Sequence, residues 1–505
     1  MKGNEQARWG GHLDNILALD QGTSSSRAFV FNRQGQVLGQ GQQAFDLILP
    51  ASGWVEQDPE ALWETILASA RSALSSPVCP PESICGVGIT NQRETTLLWD
   101  RRSGRCIHNA IVWQDRRTAD VCAELKDRGL EPFVKERTGL VLDPYFSATK
   151  LAWLLDRDPQ LRRRAERGEV CAGTVDTWLI YRLSRGRSFV TDATNASRTL
   201  LYDIHLGDWS PDLLALFGIP RALLPDVVDS SGDFGEVHPD WFGKAMPIRG
   251  VAGDQQAALI GQGCFVPGMV KSTYGTGCFV MANAGLQAPV SNHKLLTTVA
   301  WRLGGSTTYA LEGSIFVAGQ AVKWLRDSMG LITQPADTEK YCRQTEGDTG
   351  GVYLVPAFVG LGAPHWQPDT RAILSGMTLS TGVAEVVTAT VASVVFQTHD
   401  LLQAMAADGT PVAALRVDGG MVVNDWLCQH LADILGIPVE RPALAETTVL
   451  GAAMLAGVGS GLYPDLKAAA DMWRCERRFH PAMDSATKES HLAGWARAMR
   501  QALCI

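Results

Sequence analysis

The chain has 505 residues, 46% hydrophobic and 19% charged, which is globular composition and excludes a disordered protein. One hydrophobic core does not grow to that length, so two large domains or more are expected. The formal net charge of −8 and the pI near 5.7 argue against a nucleic-acid or anionic-membrane partner, while leaving room for a local basic phosphate site. The eleven cysteines, scattered from Cys79 to Cys504 with no C-x-x-C pair, give neither a disulfide framework nor a zinc site. They predict reduced thiols in a cytoplasmic protein. Residues 1–14 are polar and Gly-rich, so no secretory signal is expected. No stretch reaches about 18 apolar residues, the length of a membrane span. The most apolar run, Val383 to Phe396, is broken by Glu385, Thr388, Thr390 and Ser393 and predicts a buried or amphipathic helix.

In chain order, Ile16–Asp20, Arg27–Asn32 and Gln36–Gln40 predict three short strands, with turns at Gly22 and Gly35. Asp58-Pro59 opens a helix to about Leu74, Asp58 as N-cap and Pro59 at the first helical position. A strand over Ile84–Thr90 runs into Asn91-Gln92-Arg93-Glu94. Two more strands, Thr95–Asp100 and Ala110–Asp115, precede a polar helix from Arg117 to Arg128. This alternation predicts an α/β fold. From about Gly263 the pattern restarts. Met269–Ser272, the turn Tyr274-Gly275-Thr276-Gly277 and the strand Cys278–Asn283 form a second Gly-Thr hairpin, like the opening Asp20-Gln21-Gly22-Thr23. The repeat suggests two related domains, 1–262 and 263–505. The second continues with helices at Ser314–Met329 and Val383–Met405, a strand Ala414–Val417 ending in Asp418-Gly419-Gly420, and a helical stretch Thr448–Gly457.

Three of these turns suit a phosphate or another bulky ligand, and each also reads as an ordinary turn. Around Thr23, Ser24, Ser25 and Arg27 a tight hairpin presents backbone N–H and hydroxyl donors to an anion. Asp20, at a strand end, suits Mg²⁺, whose protein ligands are usually one or two carboxylates. The same residues also make an ordinary turn. Gly275, Thr276 and Gly277 repeat the device, and Gly419-Gly420 permits close approach of a bulky ligand to the backbone.

Taken together, Asp20-Gln21-Gly22-Thr23, Gly275-Thr276-Gly277 and Asp418-Gly419-Gly420 resemble the phosphate and adenosine elements of the actin-like ATPase superfamily. Within it, the chain from Ile16 to the 480s resembles the carbohydrate kinases, and among those the glycerol-phosphorylating members. The resemblance implies two ribonuclease-H-like domains facing each other across a catalytic cleft, with most of the glycerol site in 1–262 and most of the nucleotide site in 263–505. It implies ATP and Mg²⁺ as cofactors. Thr23, Ser24, Ser25 and Arg27 would contact phosphates, Asp20 would serve the metal, and Thr276, Gly319, Lys323, Gly420 and Asn424 would line the rest of the nucleotide site. Lys323 stands where relatives carry glutamine.

A polyol offers no charge to grip, so specificity needs paired hydrogen bonds to its hydroxyls. Arg93 and Glu94 supply a donor fork and an acceptor pair. Neighbours in a strand face opposite sides, so both reach one ligand only if the backbone leaves the strand there. The bland alternative is a solvated ion pair. By resemblance, Arg93, Glu94, Tyr145, Asp254 and Gln255 bind glycerol hydroxyls, and Trp113 and Phe279 wall the carbon chain, although ordinary core packing also accounts for the two aromatics. Asp254 is the expected general base. It equally reads as the N-cap of the Ala-rich helix that follows, and a helix N-terminus favours a charged carboxylate. The segments Gly173–Trp178 and Thr191–Arg198 also match the resemblance and are expected to shape the domain. The loop 236–244 lacks the stretch by which some members bind fructose 1,6-bisphosphate. Asp240, with His238 nearby, occupies the position of a phosphorylated histidine in others. A homo-oligomer, dimer or tetramer, is expected. The rival readings are a kinase for xylulose, ribulose or erythritol, and a non-enzymatic nucleotide switch of the same superfamily.

Overall fold

The computed structural model describes residues 14–504, so the expectations for residues 1–13 lie outside the described part. The chain divides into two compact units. One holds the described residues up to Gly261 together with Trp301–Ser306 and Thr448–Met472, and the other holds Gln262–Ala300, Thr307–Thr447 and the described residues from Trp473 on.

The first unit is built on a six-stranded sheet. Its order is Glu236–Val237, Met246–Gly253, Ile84–Asn91, Asn15–Gln21, Ser25–Phe31, Val37–Ala44. The last three strands form an antiparallel meander. Asn15–Gln21, Ile84–Asn91 and Met246–Gly253 run parallel, and Glu236–Val237 closes the edge antiparallel. Ile16, Leu17, Ala18 and Leu19 are all buried, which explains their unbroken apolar run, since a strand covered on both faces has no polar side. The helix Pro59–Leu74 begins as the sequence predicts, with Asp58 accepting the Glu60 amide at 3.0 Å. It buries Leu62, Trp63, Ile66, Leu67 and Ala70, a 3.6-residue stripe, each large side chain contributing about 1.5–3 kcal/mol.

The helix Thr447–Gly459 is apolar on every side, and from Thr448 it belongs to this first unit. Glycines let it lie directly on the sheet. A Cβ on Gly88 would stand 2.3 Å from the Ala452 carbonyl oxygen, and one on Gly250 would stand 2.3 Å from the Ala456 nitrogen.

The second unit carries a seven-stranded sheet in the order Leu296–Leu303, Ser306–Ile315, Cys278–Gly285, Met269–Tyr274, Ala414–Asp418, Val439–Pro442, Cys475–Phe479. Setting aside the outermost strand Leu296–Leu303, its middle repeats the first sheet. Met269–Tyr274 pairs antiparallel with Cys278–Gly285, which pairs antiparallel with Ser306–Ile315. Met269–Tyr274, Ala414–Asp418 and Val439–Pro442 run parallel, and an antiparallel edge strand again follows. The two Gly-Thr turns therefore occupy the same place in the two sheets.

The helix Val383–Ala407 is buried along most of its length. Its Thr390, Ser393 and Thr398 hydroxyls bond carbonyls three or four residues back, so they enter the core satisfied. Among the described residues, no helix is long and apolar enough to cross a membrane. The predicted helix Ser314–Met329 begins late. Ser314 and Ile315 end a strand paired with Cys278–Gly285, and the helix spans Gly319–Asp327. Sheet pairing outweighs local propensity there.

Candidate active site

The site in the first unit forms where three strands end side by side. Asp20 lies opposite Thr90, and Thr90 lies opposite Ala252, so the turn after Gln21, the segment Gln92–Thr95 and the helix Asp254–Gly261 leave the sheet at one edge. The Gln92 amide donates to the Gln21 carbonyl at 2.8 Å, and its side chain reaches the Gly22 carbonyl at 3.2 Å. The opening hairpin is thereby held by the residue before Arg93.

Arg93 and Glu94 are 3% and 1% exposed, which removes the solvated ion-pair alternative. Arg93 Nε lies 3.3 Å from Asp254 Oδ1 and 3.7 Å from Glu94 Oε1. Its Nη2 donates to the Tyr145 hydroxyl at 3.3 Å, and Nη1 to Gln256 Oε1 at 3.5 Å. The Tyr145 and Trp113 rings meet edge to face with centroids 5.6 Å apart. Trp113 Nε1 donates to Thr23 Oγ1 at 3.0 Å, so this cluster touches the opening hairpin. Trp113 and Tyr145 are only partly buried, unlike core aromatics such as Trp99 and Trp178. The Asp254 side chain is 31% exposed, an accessible carboxylate among buried partners, and its Oδ1 accepts the Gln255 amide at 2.7 Å. It is the first residue of its helix.

Asp20 is nearly inaccessible and pairs with Arg27 Nη2 at 2.7 Å. In the turn itself, the Gly22 amide donates to the Ser25 carbonyl at 3.0 Å, and the Thr23 carbonyl accepts from Gln57 Nε2 at 2.7 Å. Ser24 is exposed at the tip.

The remaining predicted residues lie on the second unit. Thr276 is at an exposed turn whose carbonyl accepts the Ala318 and Gln320 amides, both at 3.0 Å, while Gly319 donates to the Gly275 carbonyl at 2.9 Å. This ties the second hairpin to the start of the helix that carries exposed Lys323. A Cβ on Gly319 would stand 2.6 Å from the Gly275 oxygen. Gly419, at φ +95°, allows a sharp reversal after Asp418, and a Cβ there would stand 2.4 Å from the Tyr274 carbonyl oxygen. Gly420 is exposed, with no atom within 4 Å of a Cβ position. Asn424 caps the helix Asp425–Leu435 by accepting the Leu427 amide at 3.0 Å. Phe279 stands on a strand between Thr273 and Ser314.

Sequence reasoning missed two buried cations beneath the first-unit cluster. Arg198 Nε donates to Glu94 Oε1 at 2.7 Å. Lys150 Nζ donates to the carbonyls of Tyr145 at 2.6 Å, Phe146 at 3.2 Å and Glu94 at 3.4 Å. Burial brings the Lys150 ammonium down to about 8, against which the Glu94 carboxylate pulls upward. In sequence, Lys150 looks like an ordinary surface cation, and Arg198 stands out only as the end of the Thr191–Arg198 segment expected to shape the domain. All eleven cysteines are free. Among the described residues no group of three His, Cys, Asp or Glu side chains suits a metal ion.

Two sheets of one strand order, each opening on a Gly-Thr hairpin, place the chain in the actin-like ATPase fold class of the sugar kinases. The solved xylulose kinase from Lactobacillus acidophilus shares that fold, with a TM-score of 0.87 at 19% identity over 97% of this chain and 98% of that one. Sequence narrows the class further. The N-terminal domain of the FGGY family of carbohydrate kinases matches residues 15–261, and its C-terminal domain matches residues 270–460. The chain belongs to the FGGY family of carbohydrate kinases.

Its similar relatives include the glycerol kinase of Methylobacterium nodulans, 58% identical over 96% of this chain and 97% of the relative. Glycerol kinase 1 of Pseudomonas aeruginosa is 57% identical over 96% and 98% of the two chains. The crystal structure of Plasmodium falciparum glycerol kinase with ADP superposes with a TM-score of 0.92 at 34% identity, covering 97% of this chain and 98% of that one.

Proposed function

We propose that the chain transfers the γ-phosphoryl of ATP to a terminal hydroxyl of glycerol, giving sn-glycerol 3-phosphate. One observation carries the reading: the Arg93 guanidinium lies within reach of Asp254, Tyr145 and Glu94 at once, and Trp113 joins that cluster to Thr23 of the phosphate hairpin. The full-length relatives named glycerol kinase support it.

In this reading Arg93 donates to, and Glu94 accepts from, the polyol hydroxyls. Tyr145 and Gln255 add further polar contacts, and Trp113 and Phe279 pack on carbon. A ligand lacking a hydroxyl would strand these buried groups, which is the source of selectivity. Asp254 orients the attacking hydroxyl and accepts its proton. Phosphoryl transfer passes through a loose transition state, so holding the nucleophile in line matters more than base strength. Thr23, Ser24 and Ser25 offer hydroxyl and amide donors to phosphate oxygens, with Arg27 supplying charge. On the second unit, Thr276, Gly319, Lys323, Gly420 and Asn424 are the residues assigned to the nucleotide.

Mg²⁺ fits as an ion delivered with the nucleotide. Asp20 is the single carboxylate of the hairpin, and it already sits against a cation, Arg27. When bound, the ion neutralises phosphate charge. A cytoplasmic dimer or tetramer belongs to the same reading, and light scattering measures the assembly.

A coupled ADP-release assay with ATP and Mg²⁺ over a polyol panel tests the proposal. Glycerol is expected to exceed xylulose, ribulose and erythritol in kcat/KM. ATP consumption indifferent to glycerol would sink the reading in favour of a nucleotide switch.

A further inference from the structure

We infer that Arg198 is a positioning residue for the polyol, acting through Glu94 and Tyr145 to set the direction of the hydroxyl acceptor. This rests on the proposed contact of those two residues with substrate. Arg198 is fully buried, and its Nε lies 2.7 Å from Glu94 Oε1, a full ångström closer than Arg93 Nε at 3.7 Å. The shorter, charge-assisted bond fixes the carboxylate. Arg93 is then left to serve Asp254, Tyr145 and Gln256. The Arg198 guanidinium also lies over the rings of Tyr145, at 5.8 Å, and Phe146, at 5.2 Å. One side chain thus touches two residues assigned to the polyol.

Arg198 is itself held by a rigid support. The Asp192 carboxylate accepts the Thr194 and Asn195 amides, the Thr194 hydroxyl, the Asn195 side-chain amide and the Ser230 hydroxyl, all between 2.7 and 3.0 Å. From that turn, Thr194 Oγ1 accepts the Gly253 amide at 2.9 Å and Asn195 Oδ1 accepts Asn91 Nδ2 at 3.0 Å. Gly253 precedes Asp254, and Asn91 lies two residues before Arg93. The segment from Asp192 to Arg198 is therefore bonded to the ends of both strands that present the site, and it carries Arg198 at its exit.

The backbone of Glu94 has separate anchors, Ser147 Oγ and Lys150 Nζ on its carbonyl. Removing the Arg198 guanidinium should free the carboxylate and leave the chain in place. Such a loss falls on polyol binding and spares the nucleotide.

Steady-state kinetics of Arg198→Met and Arg198→Lys test this, with each substrate varied while the other saturates. Arg198→Met is expected to raise the glycerol KM about 30-fold or more with the ATP KM within about two-fold, the pattern of a lost substrate-orienting contact. Arg198→Lys, which keeps the charge, is expected to recover part of that loss. An Arg198→Met enzyme with unchanged glycerol KM, or with both KM values rising together, overturns the inference. If Arg198→Met does not fold, Arg198→Lys decides by the same two criteria. On a Glu94→Gln background, Arg198→Met should have little further effect on the glycerol KM; an undiminished effect there means that Arg198 does not act through Glu94. If the wild type prefers another polyol, the proposed function fails while the inference is judged separately, on the KM of that polyol.

Discussion

The two units share a strand order but place different chemistry at the same sheet edge. In the first, the edge holds buried charged side chains gathered on Glu94, whose carboxylate accepts from Arg198 and lies 3.7 Å from Arg93 and whose carbonyl accepts from Lys150. In the second, the corresponding turns are Gly275–Gly277 and Gly419–Gly420, largely exposed backbone. The carboxylates differ as well. Asp20 ends the first parallel strand, opposite Thr90, whereas in the second sheet Thr273 takes that place and the carboxylate is its neighbour Asp418. Asp418 is engaged internally, by Gln262 Nε2 at 2.8 Å and by the Thr447 hydroxyl. A small uncharged ligand must be recognised by converging side chains, while a phosphate chain is recognised by backbone amides and tolerates any residue that leaves room.

The sharpest way to break that contrast is at the accessible carboxylate. Asp254→Asn should fold, still bind glycerol by calorimetry, and lose about 10³-fold or more in kcat, as expected for removal of a general base. Near-normal turnover removes Asp254 from the mechanism. Next, Arg93→Ala should cost glycerol affinity by about 2–4 kcal/mol, because charge-assisted bonds are lost and buried acceptors are stranded; an unchanged glycerol KM contradicts its placement.

The second unit answers to substitutions of shape. Gly419→Ala forces a side chain into φ +95° against the Tyr274 backbone and should lower unfolding stability by about 3 kcal/mol. Its neighbour Gly420→Ala meets no atom within 4 Å and should change stability by less than about 0.5 kcal/mol, yet raise the ATP KM. Chemical denaturation of the pair, with ATP kinetics, separates a backbone role from a ligand role. Equal stability in the two variants would sink the distinction.

A last test reads the pH dependence of the first unit. Burial, reinforced by nearby Asp192, pushes the Asp176 carboxyl up to about 7, although Thr174 and Thr191 hydroxyls donate to it at 2.5 and 2.6 Å. Between pH 4 and 7 the folded state holds a proton that the unfolded state has released. This contribution to stability is present at the acid end and is lost as pH rises through about 7, by up to about 1.4 kcal/mol per pH unit. Asp176→Asn should flatten the fall in melting temperature from pH 5 to pH 8. An unaltered slope means that this carboxyl does not titrate in that window.

Local signals in the chain were enough for much of this. The apolar run at Ile16, the Asp58-Pro59 helix start and the paired Gly-Thr turns are short-range features, and each specifies its element through alternation, capping or turn geometry. Residue types alone left Arg93 and Glu94 open to reading as a solvated ion pair and Asp254 as a helix N-cap; the family resemblance made them candidate polyol contacts. Tertiary structure decided what depends on distant partners. Arg198 reaches Glu94 across 104 residues, and a buried arginine is indistinguishable in sequence from a solvated one until the fold removes its water. The same holds for Lys150 and for Asp192. It holds too for the stretch Thr448–Met472, whose helix the sequence predicts but whose place in the first unit, where Gly88 and Gly250 leave room for it, depends on distant partners. The repeat of strand order was faint in residues and plain in hydrogen bonding, since pairing constrains the backbone while leaving most side chains free to diverge.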